Sequence, residues 1–343
     1  MKTLDIKCSA PHKVYIGRGI AERICDYIPQ GSKVMLITDD TVYSLYGENT
    51  LCSLRSGGFN CFLYRSRAGE CFKSFENYSH IIGSLVENKF TSQDIIIALG
   101  GGTVGDIAGI CAATYHRGIG FLSIPTTLLA QVDSCIGGKN GINASNIKNA
   151  IGTFYHPLSV LCDTAFLKTL SLEDLKSGCG EILKYALISG DFNLARLTED
   201  IKSNPDNIIE HCLKIKAEYV ERDELDRGCR HILNLGHTVG HAIESRSDFA
   251  IPHGIAVANG LLYEARLFER LGYCSKEVAA MINSMLHSLG IPVHNIGFDG
   301  LFEPMTGDKK ATGEYIEMPV IKAIGCCKMV KIPLAELKEA VYE

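Results

Sequence analysis

The segment RHILNLGHTVGH, residues 230–241, sets Arg230, Asn234, His237 and His241 at spacings of four, three and four. At ~3.6 residues per helical turn these four share one stripe, and Ile232, Leu235, Val239 and Ala242 form a separate apolar face. Solvated helix faces favour Glu and Lys, whereas the flanking LNLGHTVGHA is nearly uncharged. The stripe therefore reads as a functional site rather than a solvated surface. His253, in AIPHGIAV, falls near the start of the next helix, where the positive end of the helix dipole disfavours imidazolium and keeps the ring neutral for a metal. Glu181 and Lys184, three apart in SGCGEILKYALI, lie on one face of another helix. One carboxylate with two imidazoles is a common catalytic zinc set that leaves a position open for substrate. Spacing alone leaves both His237/His241 and His237/His253 open as the imidazole pair.

A second constellation is IIIALGGGTVGDIAG, where Gly100, Gly102 and Gly105 follow a strand-like run and open a helix in G-x-G-x-x-G spacing. Glycines there let the backbone approach a ligand, and the helix-start N–H groups attract phosphate oxygens. A structural turn with no ligand is the competing reading. The turn departs from the dinucleotide fingerprint: it follows a later strand, and no acidic residue stands ~20 positions on. Asp39, ending VMLITD, is the alternative partner for a ribose hydroxyl. Thr126 and Thr127 in PTTLLAQVD sit between a strand and a helix, where hydroxyls cap the helix at least as readily as they contact phosphate. Arg117, Lys139, Lys148, Lys184, Lys216 and Arg230 gather in the middle of the chain, with Lys309 and Lys310 later in MTGDKKATG. Beside a metal they suit a small substrate with several negative charges, although each lysine alone reads as surface solubility.

The elements that must position these groups divide the chain in two. KVMLITD (33–39), CFLYRS (61–66), DIIIALG (94–100) and FLSIP (121–125) alternate with helical stretches, the pattern of a parallel sheet covered on both faces. Beyond about residue 170 the runs LEDLKSGCGEILKYALI, NIIEHCLKIKAEYVERDEL, GIAVANGLLYEARLFERLG and KEVAAMINSMLHSLG all read as helices. The expectation is an α/β Rossmann-like domain over 1–170 and a mostly α-helical domain over 171–343, with a site between them. The chain has 343 residues, 46% of them hydrophobic, and a net charge of −5, which argues against nucleic acid or an acidic membrane as a partner. None of its fourteen cysteines falls in a Cys-x-x-Cys or zinc-finger spacing. Several, such as Cys111, Cys135 and Cys162, sit in apolar runs and read as buried thiols, which implies a reducing cytoplasm; no signal peptide and no membrane span is expected.

These residues resemble the 3-dehydroquinate synthase family. GGGTVGDIAGICAATYHRGIGFLSIPTTLLAQVDSCIGGKNGIN is similar to its core, and DTAFLKTL, GEILKYALI, DELDRGCRHILNLGHTVGHAIE, PHGIAVANG and MTGDKK follow in family order, from about residue 68 to 325. The resemblance implies NAD bound through Asp39, Glu70, Lys73, Gly102, Thr103, Val104, Gly105, Asp106, Thr126, Thr127, Lys139, Lys148, Phe166 and Thr169. It implies zinc (or cobalt) on Glu181, His237 and His253. Asp133, Lys139, Asn149, Lys184, Lys216, Arg230, Asn234 and His241 would contact the substrate. Arg117 in YHRG resembles a residue that reaches a neighbouring subunit's phosphate site, and Lys310 in DKK resembles a closing-loop contact.

The implied enzyme is a homodimeric carbon–oxygen lyase of the shikimate pathway. It would convert 3-deoxy-D-arabino-heptulosonate 7-phosphate to 3-dehydroquinate and phosphate. The steps are transient oxidation by NAD at carbon 5, β-elimination of phosphate, return of hydride, ring opening and aldol closure, with zinc as Lewis acid. Four positions depart from the family pattern: Ala68, Ile147, Gly180 and Ile255. Another sugar-phosphate cyclase and a metal-dependent polyol dehydrogenase are the rival activities. A polyol dehydrogenase would release NADH and would not need the cations.

Overall fold

The computed structural model describes residues 1–145, 147–193, 196–297, 300–306, 311–312 and 314–342. The described chain forms two compact units, one of Met1–Leu170 with Ile209–Leu225 and one of Ser171–Ile208 with Asp226–Glu343. Ile209–Leu225 joins the first unit through polar contacts: Glu210 pairs with Lys2, Lys216 with Asp133, and Glu224 with Ser9 and His156.

Among the described residues, nine strands build the first unit: β1 (Lys2–Ile6), β2 (His12–Gly17), β3 (Lys33–Asp39), β4 (Asn60–Ser66), β5 (Ile95–Gly100), β6 (Gly120–Pro125), β7 (Lys139–Ala144), β8 (Ile147–Phe154) and β9 (Ser159–Asp163). Seven of them form one sheet in the order β1-β2-β9-β6-β5-β3-β4, parallel except for β1 against β2; β7 and β8 make a separate antiparallel hairpin. Alternating side chains of the central strands divide between two cores. Met35, Ile37, Ile96 and Ala98 pack with Ile81, Leu85, Ile107 and Cys111 on one face. Val34, Leu36, Ile97, Leu99, Leu122 and Ile124 pack with Ile24, Leu51 and Leu54 on the other. Each fully buried Val, Leu, Ile or Met side chain among them contributes about 1.5–3 kcal/mol.

This is the Rossmann-like parallel sheet expected for the first half. From β3 the chain steps outward to β4, then crosses to β5 on the far side of β3. The strand order therefore reverses between β3 and β5, and a ligand crevice is expected beyond their carboxyl ends, at Asp39 and Gly100.

The second unit is mostly helical, with helices Leu172–Ser189, Leu197–Ser203, His237–Arg246, His253–Arg270 and Lys276–Ser288. It also holds a three-stranded antiparallel sheet, β10 (Ala311–Thr312), β11 (Tyr315–Ala323) and β12 (Cys326–Pro333), that the helical reading of the second half missed. Pro319 within YIEMPVIKA argues against a central strand. β10 pairs only with Tyr315 and Ile316, so beside Pro319 that edge of β11 is not bonded to a strand among the described residues. No helix is long and apolar enough to cross a membrane among the described residues.

The single helix expected over 230–241 is not formed. Cys229–Asn234 is a short 3-10 helix, Leu235 is non-helical (ψ 129°), Gly236 is left-handed (φ 80°), and an α-helix begins at His237. The break has a cause in the helix His253–Arg270. Its fully buried Glu264 accepts hydrogen bonds from the N–H groups of Gly236 (2.7 Å) and Val239 (3.2 Å), capping the new helix from outside. Any Cβ at Gly236 would also meet Leu261 Cγ at 2.7 Å and Val257 O at 2.9 Å. Arg230 and Asn234 therefore do not continue the helical face of His237 and His241.

Candidate functional site

In the second unit, Glu181 stands on the helix Leu172–Ser189, and His237 and His253 each occupy the first position of a helix. The helix carrying Glu181 approaches the helix carrying His253 at glycines. A Cβ on Gly180 would lie 1.9 Å from Gly254 O, and one on Gly254 would lie 1.8 Å from Ser177 O. Ser177 Oγ accepts from the Gly254 N–H at 3.0 Å, fixing the register.

The contact brings the fully buried Glu181 Oε1 within 3.5 Å of His237 Nε2 and 3.4 Å of His253 Nε2. Two donors bound ~2.0–2.1 Å from one tetrahedral ion sit ~3.3–3.4 Å apart, so the three side chains are spaced to hold such an ion. Glu181 Oε2 lies 2.6 Å from Lys184 Nζ, itself buried with its ammonium 4.4 Å from the Tyr185 ring centroid. The Lys184 pairing partly compensates the cost of burying the carboxylate.

The two imidazoles differ in charge. Burial pushes His237 well below the ordinary histidine range, with Lys184, His253 and His241 acting in the same direction. Its Nδ1 faces the Leu235 carbonyl at 3.2 Å and must donate there, which leaves Nε2 with a lone pair toward Glu181. Burial also acts to lower His253, but hydrogen bonds to Glu181 and Glu244 outweigh it and hold the imidazolium up to about 10. Without a cation, the two carboxylates exceed the influence of the helix dipole that argued for a neutral His253. A bound cation would displace that proton.

Sequence reasoning missed Glu244, which is buried and holds His253 Nδ1 at 3.2 Å. A carboxylate on the far nitrogen of a ligating histidine fixes its tautomer and raises its basicity. The signal was present: Glu244 follows His237 by seven and His241 by three, on one helix face.

His241 is exposed, with its ring centroid 5.5 Å from that of His237 and 5.8 Å from that of His253. Of the two imidazole pairs left open by spacing, only His237/His253 groups with Glu181 among the described residues; His241 groups instead with Glu244 and His253. Arg230 is buried in the 3-10 helix and Asn234 half-buried at its end.

In the first unit, Gly100, Gly102, Gly105 and Asp106 line a cleft together with Ser134, Lys139, Asn140 and Tyr155. Gly101 is the N-cap of the helix Gly102–Thr114, which presents its first N–H groups at this end. Gly100 makes the turn possible because a Cβ would meet Val104 at 2.5 Å, whereas a Cβ on Gly105 would meet nothing within 4 Å. Bare backbone facing an open cleft at the strand-order reversal fits a ligand that approaches the main chain closely. Thr126 Oγ1 is buried with no hydrogen-bond partner among the described residues, a polar atom that such a ligand could satisfy.

Behind the turn, buried Lys73 bonds Asp106 Oδ2 (2.6 Å) and Asn149 Oδ1, with Glu70 Oε1 at 3.9 Å. Burial raises the Asp106 carboxyl, while Lys73 and Lys216 oppose the shift. Asn143 closes the network, its Nδ2 donating to Glu70 and its Oδ1 accepting from Asn149 N. Asn149 thus joins the expected cofactor residues Glu70, Lys73 and Asp106.

Lys216 Nζ donates to Asp133 O at 2.7 Å and lies 3.1 Å from Asp133 Oδ1. Thr127 Oγ1 accepts from Ala130 N, the capping role. Asp39 Oδ1 accepts from Val42 N and caps the following turn, while burial raises its carboxyl. Phe166 is core, its ring 4.5 Å from that of Tyr46, and Tyr46 OH bonds exposed Thr169. Thr103 is half-buried and Val104 buried on the turn's helix, and Lys148 is half-buried on β8. Arg117 is exposed with a left-handed backbone, φ 64°. Lys310 and the rest of 307–310 lie outside the described residues.

Family models for 3-dehydroquinate synthase match this chain, the N-terminal one over residues 64–177 and the C-terminal one over 178–311. A 3-dehydroquinate synthase from Streptococcus agalactiae is 41% identical over 320 residues, covering 90% of each chain. Among solved structures, a 2-deoxy-scyllo-inosose synthase complexed with carbaglucose-6-phosphate, NAD+ and Co2+ superposes with a TM-score of 0.89 at 24% identity, covering 99% of both chains. A 2-epi-5-epi-valiolone synthase from Streptomyces hygroscopicus, bound to NAD+ and Zn2+, gives 0.88 at 22% identity, covering 100% of this chain and 98% of that one.

Proposed function

The chain belongs to the 3-dehydroquinate synthase family, and we propose that it converts 3-deoxy-D-arabino-heptulosonate 7-phosphate to 3-dehydroquinate and phosphate as an NAD- and divalent-metal-dependent carbon–oxygen lyase. The observation that carries the reading is the buried Glu181 carboxylate, with His237 and His253 nitrogens 3.5 and 3.4 Å away and Lys184 beside it. When bound, NAD supplies a reversible hydride acceptor and the metal a Lewis acid at the hydroxyl being oxidised.

Glu181, His237 and His253 hold the metal, zinc or cobalt, with Glu244 orienting His253. The Gly100–Asp106 turn takes the dinucleotide phosphates on backbone N–H groups, while Asp39, Thr126, Thr127, Lys139, Lys148, Phe166 and Thr169 complete its binding. Lys73, buried between Asp106, Glu70 and Asn149, keeps that wall of the cleft charged and ordered. Lys184, Lys216, Arg230, Asn234, His241, Asp133 and Asn149 meet the substrate, whose phosphate and carboxylate need cationic partners with direction. Arg117 and Lys310 add the contacts that the family resemblance implies, Arg117 across a homodimer. The fourteen free cysteines accord with a reducing cytoplasm.

Purified protein with NAD, zinc and the heptulosonate phosphate should release phosphate over many turnovers while NADH absorbance stays flat. NADH accumulating in step with turnover would instead make the protein a dehydrogenase. No phosphate release with metal present would refute the lyase reading.

A further inference from the structure

Within the first unit, Cys8, His12 and His156 form a second cluster that the proposed reaction does not use. One donor atom from each lies within 4.8 Å of the other two, and Cys8 Sγ stands 3.8 Å from His12 Nδ1. Both histidines are more than nine-tenths buried, at 5% and 8% exposure, and their ring centroids are 5.3 Å apart.

Each ring engages an oxygen with one nitrogen: His12 Nδ1 lies 3.0 Å from Ala10 O, and His156 Nε2 lies 2.8 Å from Glu224 Oε1. The other nitrogens, His12 Nε2 and His156 Nδ1, are buried and make no hydrogen bond among the described residues. In the neutral imidazole, a nitrogen whose ring partner donates to an oxygen carries a lone pair, so these positions then call for a cation or a donor, not an anion. Leaving two of them buried and unpaired is unfavourable unless something binds there.

The surroundings agree. Glu224 backs His156 as Glu244 backs His253, and its Oε2 accepts from Ser9 N at 2.9 Å; Glu221 accepts from Lys7 N at 2.9 Å. The carboxylates bring negative charge to a loop that supplies a thiol. Cys8 and His12 are also near neighbours in sequence, in the Cys-x-x-x-His arrangement that lets one short loop contribute two ligands.

We propose that Cys8, His12 and His156 bind a divalent ion of the zinc class, with Glu224 positioning His156 and a water completing the tetrahedron. One thiolate with two imidazoles selects borderline-soft ions over magnesium or calcium. Binding releases the Cys8 proton to solvent. The ion ties the turn between β1 and β2 to the residue between Tyr155 and Pro157, both of which line the dinucleotide cleft. It is a structural clamp behind that cleft, independent of the Glu181 site.

Cobalt(II) distinguishes the two sites, because Glu181, His237 and His253 offer no sulfur. Titrating the metal-free full-length protein with cobalt should give a thiolate-to-cobalt charge-transfer band in the near ultraviolet and two bound ions per chain. Cys8→Ser should abolish the band and leave one bound ion, and His156→Gln should weaken binding at the band-forming site at least tenfold. His253→Ala should keep the band. Cys8 is only half-buried, so thermal melting of Cys8→Ser checks that the fold persists. No band in the wild-type protein at saturating cobalt, or a band that survives Cys8→Ser, overturns the proposal.

Discussion

Replacing Glu244 by Gln tests whether the carboxylate behind His253 sets the strength of the metal site. Gln keeps an acceptor 3.2 Å from His253 Nδ1 but removes the charge. Hydrogen bonds to charged groups contribute about 1.5–3 kcal/mol and neutral ones about 0.5–1.5, so the change costs roughly 1–1.5 kcal/mol. At about 1.4 kcal/mol per decade, zinc affinity should fall about tenfold in Glu244→Gln. Glu244→Leu, which loses the acceptor as well, should fall toward the ~100-fold limit typical of such outer partners. Zinc affinity is read by competition with a calibrated chelator, and melting of the metal-free variants controls for folding. In the metal-free Glu244→Gln protein, His253 should also titrate well below the value of about 10 to which Glu181 and Glu244 now raise it. Wild-type zinc affinity in both variants would refute the role given to Glu244.

The charge on His253 predicts a pH dependence. Its proton is held up to about 10 while His237 is neutral, so zinc binding near pH 7.5 should release about one proton from this pair, and affinity should rise about tenfold per pH unit. Calorimetry in buffers of different ionisation enthalpy measures the release; none would contradict it. A histidine raised by folding stabilises the metal-free fold fully below its ordinary value of ~6.5 and loses that contribution as pH climbs through about 10. Gly180→Ala puts a Cβ 1.9 Å from Gly254 O, so melting should show overpacking of about 1–3 kcal/mol together with weaker zinc binding. Gly105→Val adds a side chain where no atom lies within 4 Å; melting should change little while NAD affinity, by fluorescence titration, falls at least tenfold. Lys73→Met strips a buried partner from Asp106 and should cost about 3–5 kcal/mol in urea unfolding, much of it recovered in the double variant with Asp106→Asn.

The sheet's centre was legible because β3, β5 and β6 are continuous apolar runs bounded by Gly, Pro or Asp, and burial on both faces demands such a pattern. The small sheet near the C-terminus was not, because Pro319 masks a strand whose proline sits where the partner strand has already ended. At the site, residue types and helix starts were readable, but the course of 230–241 was not. Its break depends on Glu264, 28 residues beyond Gly236, reaching back to cap a helix. No local pattern encodes that contact. The charge of His253 was hidden in the same way: the helix dipole is a local property, whereas Glu181 comes from a helix 72 positions away and outweighs it only once the glycine contact is formed.

The central claim is that a hydride is taken from the substrate and returned to it within one catalytic cycle. Substrate carrying deuterium at carbon 5, turned over with unlabelled NAD, is the most direct test. The account predicts that the 3-dehydroquinate formed retains the deuterium at the corresponding carbon, with none left on the NAD pool. Loss of the label to solvent, or its accumulation as reduced deuterated cofactor, would contradict it.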